Sequence, residues 1–283
     1  SKIAVSHFSV PDLFASYISE PVLLESFKKM LNADSFDVVS GKLCEVVEKL
    51  YCNDNMIMTF AGKEDVKEKI IKEFADFDLG KNPNEDVLET ELQEPFKEAI
   101  IIPSVVSYNA IANDFTKFGY VYDGKSIVLT HILKYDYLWS EVRVKGGAYG
   151  MSIIMPYIGT ITMASYRDPN VCETYERFKA IGSYLREFAP ANSEFKSYII
   201  GAYSAFQKPF TTRILIDITD VRYFTKHEKE DIVKLSKEVI ETKIEDIKAF
   251  APLFERIEDG DAACTIGNEN KIKEYKFNIV KNL

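Results

Sequence analysis

The stretch Leu138-Trp139-Ser140-Glu141-Val142-Arg143-Val144-Lys145-Gly146-Gly147-Ala148-Tyr149-Gly150 runs from the end of a helix, through two glycines, into the first strand of a hairpin. Its two glycines permit close backbone approach. Arg143 and Tyr149 lie on either side of that turn, so they can converge on one cleft. A guanidinium fork and a phenol are both donors, and together they can hold carbonyl oxygens or a developing oxyanion where water is excluded. A plainer reading is open on the residues alone. In it Arg143 caps the carbonyls at the helix C-terminus, the glycines make a loop, and Tyr149 is a half-buried strand aromatic.

The neighbouring pattern is α+β. Before the stretch, residues 97–113 are strongly β-prone and interrupted at Pro103. Residues 123–139 place Ile127, Val128, Ile132, Leu133 and Leu138 at helical spacing. After it, 148–155 and 160–165 alternate as two strands turning through 156–159. Asp168-Pro169 is expected to open the next helix as cap and first residue, with Val171, Tyr175, Phe178, Ile181, Leu185 and Phe188 on its buried face. Helices are expected over 192–206 and 229–240, then another behind a Thr242-x-x-Glu245 capping box. Strands over 262–266 and 274–280 close the series.

Further upstream, 12–50 is helical in period, 55–62 reads as a short apolar strand, and 63–77 as an amphipathic helix bearing Val66, Ile70, Ile71 and Phe74. The first residues look like a strand entered directly, without an initiator Met, as in a piece of a longer polypeptide. A Gly-, Pro-, Asn- and acid-rich segment at 80–94 reads as a linker, bounded at 81–95 between 1–80 and 96–283.

With 283 residues and 46% apolar content the chain can bury a sizeable core, which excludes disorder as a description of the whole. The 44 acidic residues outweigh 35 basic ones, giving a net charge of −9, the wrong sign for a general nucleic-acid binder. No apolar run reaches the roughly 18 residues of a membrane helix. Cys44, Cys52, Cys172 and Cys264 form no disulfide framework and no C-x-x-C pair, as in a reducing compartment. The histidines, His7, His131 and His227, are widely separated and show neither H-E-x-x-H nor H-x-x-E-H spacing, so no zinc centre is expected within the chain. Phosphate-loop and EF-hand spacings are also missing.

The run L-W-S-E-V-R-V-K-G-G-A-Y-G closely resembles a segment near the C-terminal end of the insulinase-like (pitrilysin-type) zinc metallopeptidases, in the presequence protease and falcilysin branch. The rest of the chain resembles that branch in layout. The resemblance implies two-layer α/β sandwich domains of the mitochondrial-processing-peptidase type, with a mostly antiparallel sheet and helices on one face. It makes 1–80 the end of the third peptidase domain, 81–95 a connection, and 96–283 the fourth domain.

It further implies that Arg143 and Tyr149 bind substrate, that no catalytic or metal residue lies in this chain, and that zinc is held by an N-terminal half. The chain alone would then be inactive. The implied partners are unfolded peptides and that N-terminal half, with no nucleic acid and no membrane, in a bacterial cytoplasm or an organelle matrix rather than outside the cell. The alternative within the family is a non-catalytic peptide-binding or scaffold subunit of a heteromeric complex.

Overall fold

Six strands form one sheet in the computed structural model of the chain: β1 (Lys97–Ile101), β2 (Ser107–Asp114), β3 (Gly150–Ile154), β4 (Thr160–Asp168), β5 (Ala262–Gly267) and β6 (Ile279–Asn282). The spatial order is β3-β4-β2-β5-β1-β6. The β3–β4, β4–β2 and β2–β5 pairs are antiparallel, while β1 runs parallel to both β5 and β6. The structure describes residues 1–17, 20–32, 36–53, 56–75, 80, 91–207, 209–226, 228–257 and 261–282. Among these, no helix is long and apolar enough to cross a membrane.

Because successive strand residues point to opposite faces, the alternation in β2 separates two kinds of surface. Ile111 joins the main core with Met163, Ile153 and Ala263, under helices that contribute Tyr175, Phe178, Leu185 and Phe254. Ala110 and Ala112 face the other way, with Cys264 and Ala164. These small side chains let the short Lys2–Val5 helix settle Ala4 and Val5 directly on the sheet. The expected N-terminal strand is therefore a helical turn. One compact unit accordingly joins Ser1–Leu23 to Glu91–Gln207 and Ile232–Leu283, reaching back across the expected 81–95 linker, whose residues 81–90 lie outside the described residues.

The second unit, Leu24–Thr90 with Lys208–Asp231, is helical. Its Phe36–Leu50 and Glu64–Phe74 helices match the expected periods. Val66, Ile71 and Phe74 are nonetheless exposed, and residues 56–62 form no strand. A strand needs a neighbour for its N–H and C=O groups, and among the described residues this unit offers none. The Thr212–Thr225 helix, which the sequence pattern did not reveal, joins it, and the Thr59 hydroxyl donates to Asp220 there.

The expected face of Val171, Tyr175, Phe178, Ile181, Leu185 and Phe188 is buried throughout. Its helix, however, begins at Cys172. Asp168 is not the cap, because it still pairs with Ser107 at the end of β4. Thr242 likewise closes the preceding helix by donating to the Glu238 carbonyl, and Asp246 rather than Glu245 accepts the N–H of Lys243 at 2.9 Å. The expected strand over 274–280 is confined to Ile279–Asn282, since Tyr275 and Phe277 turn inward onto Tyr175, with ring centroids 4.5 and 6.3 Å away.

Between the helices and the sheet, Tyr175 is fully buried and its hydroxyl lies 3.2 Å from the Ala110 carbonyl and 2.9 Å from Thr265 Oγ1. Thr265 spends its proton on Asn109 Oδ1 at 2.9 Å, so the single Tyr175 proton is shared between the Thr265 oxygen and the Ala110 carbonyl. Removing that proton strands buried acceptors. Tyr175→Phe is expected to destabilise the fold by about 1–3 kcal/mol, and a denaturant titration with no shift in midpoint would contradict this. Burial, with the Glu98 carboxylate adding to it, pushes the Cys264 thiol up to about 12, whereas Cys44 is exposed. Alkylation at neutral pH followed by peptide mass mapping should mark Cys44 and spare Cys264 until the protein is unfolded.

Candidate functional site

Asp123 starts the helix that leads to the site, its carboxylate accepting the N–H groups of Lys125 and Ser126 at 2.9 and 3.1 Å. The helix runs over Gly124–Ile132 and does not stop at 139 as its apolar period implied. It widens into π-helical turns, Leu133–Tyr137 and Trp139–Lys145. Such turns are rare and concentrate at functional sites. Leu138 and Val142 anchor the widened segment in the core, and Lys145 pairs with Glu141 at 2.6 Å. The Arg143 guanidinium lies over the Trp139 ring, 4.1 Å from its centroid.

Arg143 does not cap the helix with its side chain, as the plainer reading required. The cap is made by backbone: the Gly147 N–H donates to the Arg143 carbonyl at 2.9 Å, and the Ala148 N–H to the Val142 carbonyl at 3.2 Å. Among the described residues the Arg143 guanidinium makes no hydrogen bond or ion pair, and it keeps its donors free. The two glycines meet different demands. Gly147 has φ +80°, where a Cβ is strained. A Cβ on Gly146 would collide with the Val142 carbonyl and come within 2.6 Å of Arg177 Nη1.

Tyr149 emerges from this turn 68% exposed, so it is not the half-buried strand aromatic of the plainer reading. Its N–H is shared between the carbonyls of Tyr166, at 3.1 Å, and Arg167, at 3.4 Å. Its ring lies 6.1 Å from that of Tyr166, which meets Tyr108 edge-on at 5.2 Å. These tyrosines, with Met151, Ala164 and Cys264, line a groove of about 760 Å³ over the small-residue face of the sheet. Tyr149 thus opens onto the groove, while Arg143 rests on Trp139 and is not among the residues that line it. Both flank one rigid turn.

A buried polar network holds that turn, and the sequence pattern did not reveal it. Asn109 Nδ2 donates to Ser165 Oγ at 3.0 Å and to the Asn170 carbonyl at 2.8 Å. Asn170 Nδ2 reaches the Gly146 carbonyl at 2.6 Å. Asp168, fully buried, accepts from Thr174 Oγ1 at 2.7 Å and from the Asn170 N–H at 2.9 Å. The partners are far apart in sequence, and the nearest visible signal was the Asp168-Pro169-Asn170 run.

The side chains of the described residues do not fit a zinc centre. Among the described residues no group of three or more His, Cys, Asp or Glu could hold a metal ion. His7 packs edge-on against Phe96 at 4.6 Å. His131 lies against Tyr135 at 4.7 Å, and burial with nearby Lys134 lowers its pKa. His227 lies outside the described residues.

The sequence is 34% identical over 255 residues to Protein HypA of Clostridium perfringens, covering 88% of this chain and 26% of that protein. It is 28% identical over 263 residues to Presequence protease 1, chloroplastic/mitochondrial, of Arabidopsis thaliana, covering 88% of this chain and 23% of that one. The chain therefore spans about a quarter of the length of these relatives. In fold it resembles a peptidase M16 inactive domain from Pseudomonas fluorescens, with TM-score 0.51, 14% identity, and 73% of this chain and 51% of that chain covered. The family model described as the PreP C-terminal domain matches residues 97–266, a span that contains Arg143, Tyr149, the glycine turn and the whole Asn109 network. This chain belongs to the PreP C-terminal domain family.

Proposed function

We propose that this chain is the substrate-binding C-terminal part of a zinc endopeptidase that degrades unfolded peptides in a closed chamber. The observation that carries this reading is the pair of unengaged donors held on either side of one clamped turn. Among the described residues the Arg143 guanidinium is free of ion pairs, and Tyr149 stands exposed at the mouth of an aromatic groove. Such donors suit peptide carbonyls and the negative charge that grows on them during hydrolysis. In this reading zinc is held by the remainder of the polypeptide; among the described residues no cluster of His, Cys, Asp or Glu could hold it.

In this reading 96–283 corresponds to the fourth peptidase domain and 1–80 to the end of the third, with Ser1–Leu23 joining the fourth domain's compact unit. Unfolded peptides and the zinc-bearing half are its partners, in a bacterial cytoplasm or an organelle matrix. Relatives of this chain are named for mitochondria or chloroplasts.

In the full-length protein, Tyr149→Phe and Arg143→Ala should each lower kcat/KM for a fluorogenic peptide by about 100-fold or more. Loss of one transition-state donor typically costs about 2.7–4 kcal/mol, and both melting temperatures should hold. Undiminished cleavage by both variants would refute the assignment. A separate check is elemental analysis of this chain purified alone and dialysed against zinc. Less than stoichiometric metal is expected, and tight one-to-one binding would place a metal site in this chain after all.

A further inference from the structure

At the end of β4 the backbone enters the left-handed region at an arginine: Arg167 has φ +49°. Residues with a Cβ adopt this conformation only where their surroundings over-determine it, and such strain gathers at functional sites. Among the described residues the other example is Lys226, which simply closes a helix. Arg167 instead sits in a bulge. The β2–β4 register steps from Asn109↔Ser165 to Ser107↔Asp168, so β4 carries one residue more than its partner. Bulges re-aim side chains and are common beside active sites.

Both ends of the bulge are tied to the glycine turn. On one side Tyr166 pairs with Gly150, and the Tyr166 and Arg167 carbonyls share the N–H of Tyr149. On the other, buried Asp168 fixes Asn170, which holds the Gly146 carbonyl. The side chain so aimed lies over the phenol, with the guanidinium carbon 6.0 Å from the Tyr149 ring centroid. Arg167 makes no ion pair among the described residues.

We infer that Arg167 is a positioning residue for Tyr149: the bulge and its strained backbone place a guanidinium over the phenol ring and hold the hydroxyl in its working direction. This rests on the reading of Tyr149 as a peptide contact. The test uses the full-length protein and a fluorogenic peptide. Arg167→Gly removes the guanidinium while accepting the left-handed backbone without strain, and Arg167→Lys keeps a cation.

The expected result is that Arg167→Gly melts no lower than the parent yet loses roughly two- to fivefold in kcat, the worth of an exposed cation–π contact, with KM little changed. Arg167→Lys should recover part of the loss, and Arg167→Gly in a Tyr149→Phe background should cost nothing more. Parent-like turnover by Arg167→Gly, or a full additional loss in the double variant, would overturn the inference while leaving Tyr149 in place. If Tyr149→Phe itself cleaves normally, the peptide-contact reading fails first and this inference with it.

Discussion

Asn109 is 1% exposed in the middle of β2, and both ends of its amide are engaged at once. Its oxygen accepts from Thr265 on β5, and its nitrogen donates to Ser165 on β4 and to the Asn170 carbonyl beyond it. A buried amide with any of these partners missing would carry a desolvation penalty of about 1–3 kcal/mol, so the three segments are held in one register or the fold loses stability. Through Asn170 the same register reaches the Gly146 carbonyl. Hence the turn that carries Arg143 and Tyr149 is tied, through Asn170, to hydrogen bonds inside the sheet.

Much of the architecture was legible along the chain. β-propensity marked the stretch that holds β1 and β2, alternation revealed the β3–β4 hairpin, and three- and four-residue steps revealed the helical face from Val171 to Phe188. What escaped has a common cause, which is that it depends on partners distant in sequence. The segment after Gly62 reads as an amphipathic helix in isolation and is one, but its apolar side is exposed, since no neighbouring layer covers it among the described residues. Ser1–Leu23 clusters with the later residues and not with 24–80, and nothing local says that Ala110, Ala112 and Ala164 leave room for a helical turn.

The candidate site was legible as residue types and partly as geometry. Gly146-Gly147 marked the turn, and Arg143 and Tyr149 marked the donors on either side of it. Period analysis assumes 3.6 residues per turn, so it ended the preceding helix near Trp139 where the chain in fact widens to π geometry and continues to Lys145. Within that widened segment Arg143 rests on Trp139. The bulge at Arg167 and the network behind it were invisible for a different reason: Asn109, Ser165, Asp168 and Asn170 are unremarkable polar residues until the sheet brings them together.

The chemistry around the groove bears on how a peptidase of the proposed kind could accept many sequences. Its lining includes small side chains, Ala164 and Cys264, and tyrosine rings, which give contact area with little directional demand. The donors nearby, a guanidinium and a phenol, recognise carbonyl oxygen, and every residue of an unfolded peptide supplies one. Selectivity on such a surface comes from whether the backbone is extended and available, because folded proteins have already spent their carbonyls on secondary structure. Rigid placement of a few donors is then more useful than a deep pocket, and that is what a turn clamped from within the sheet supplies.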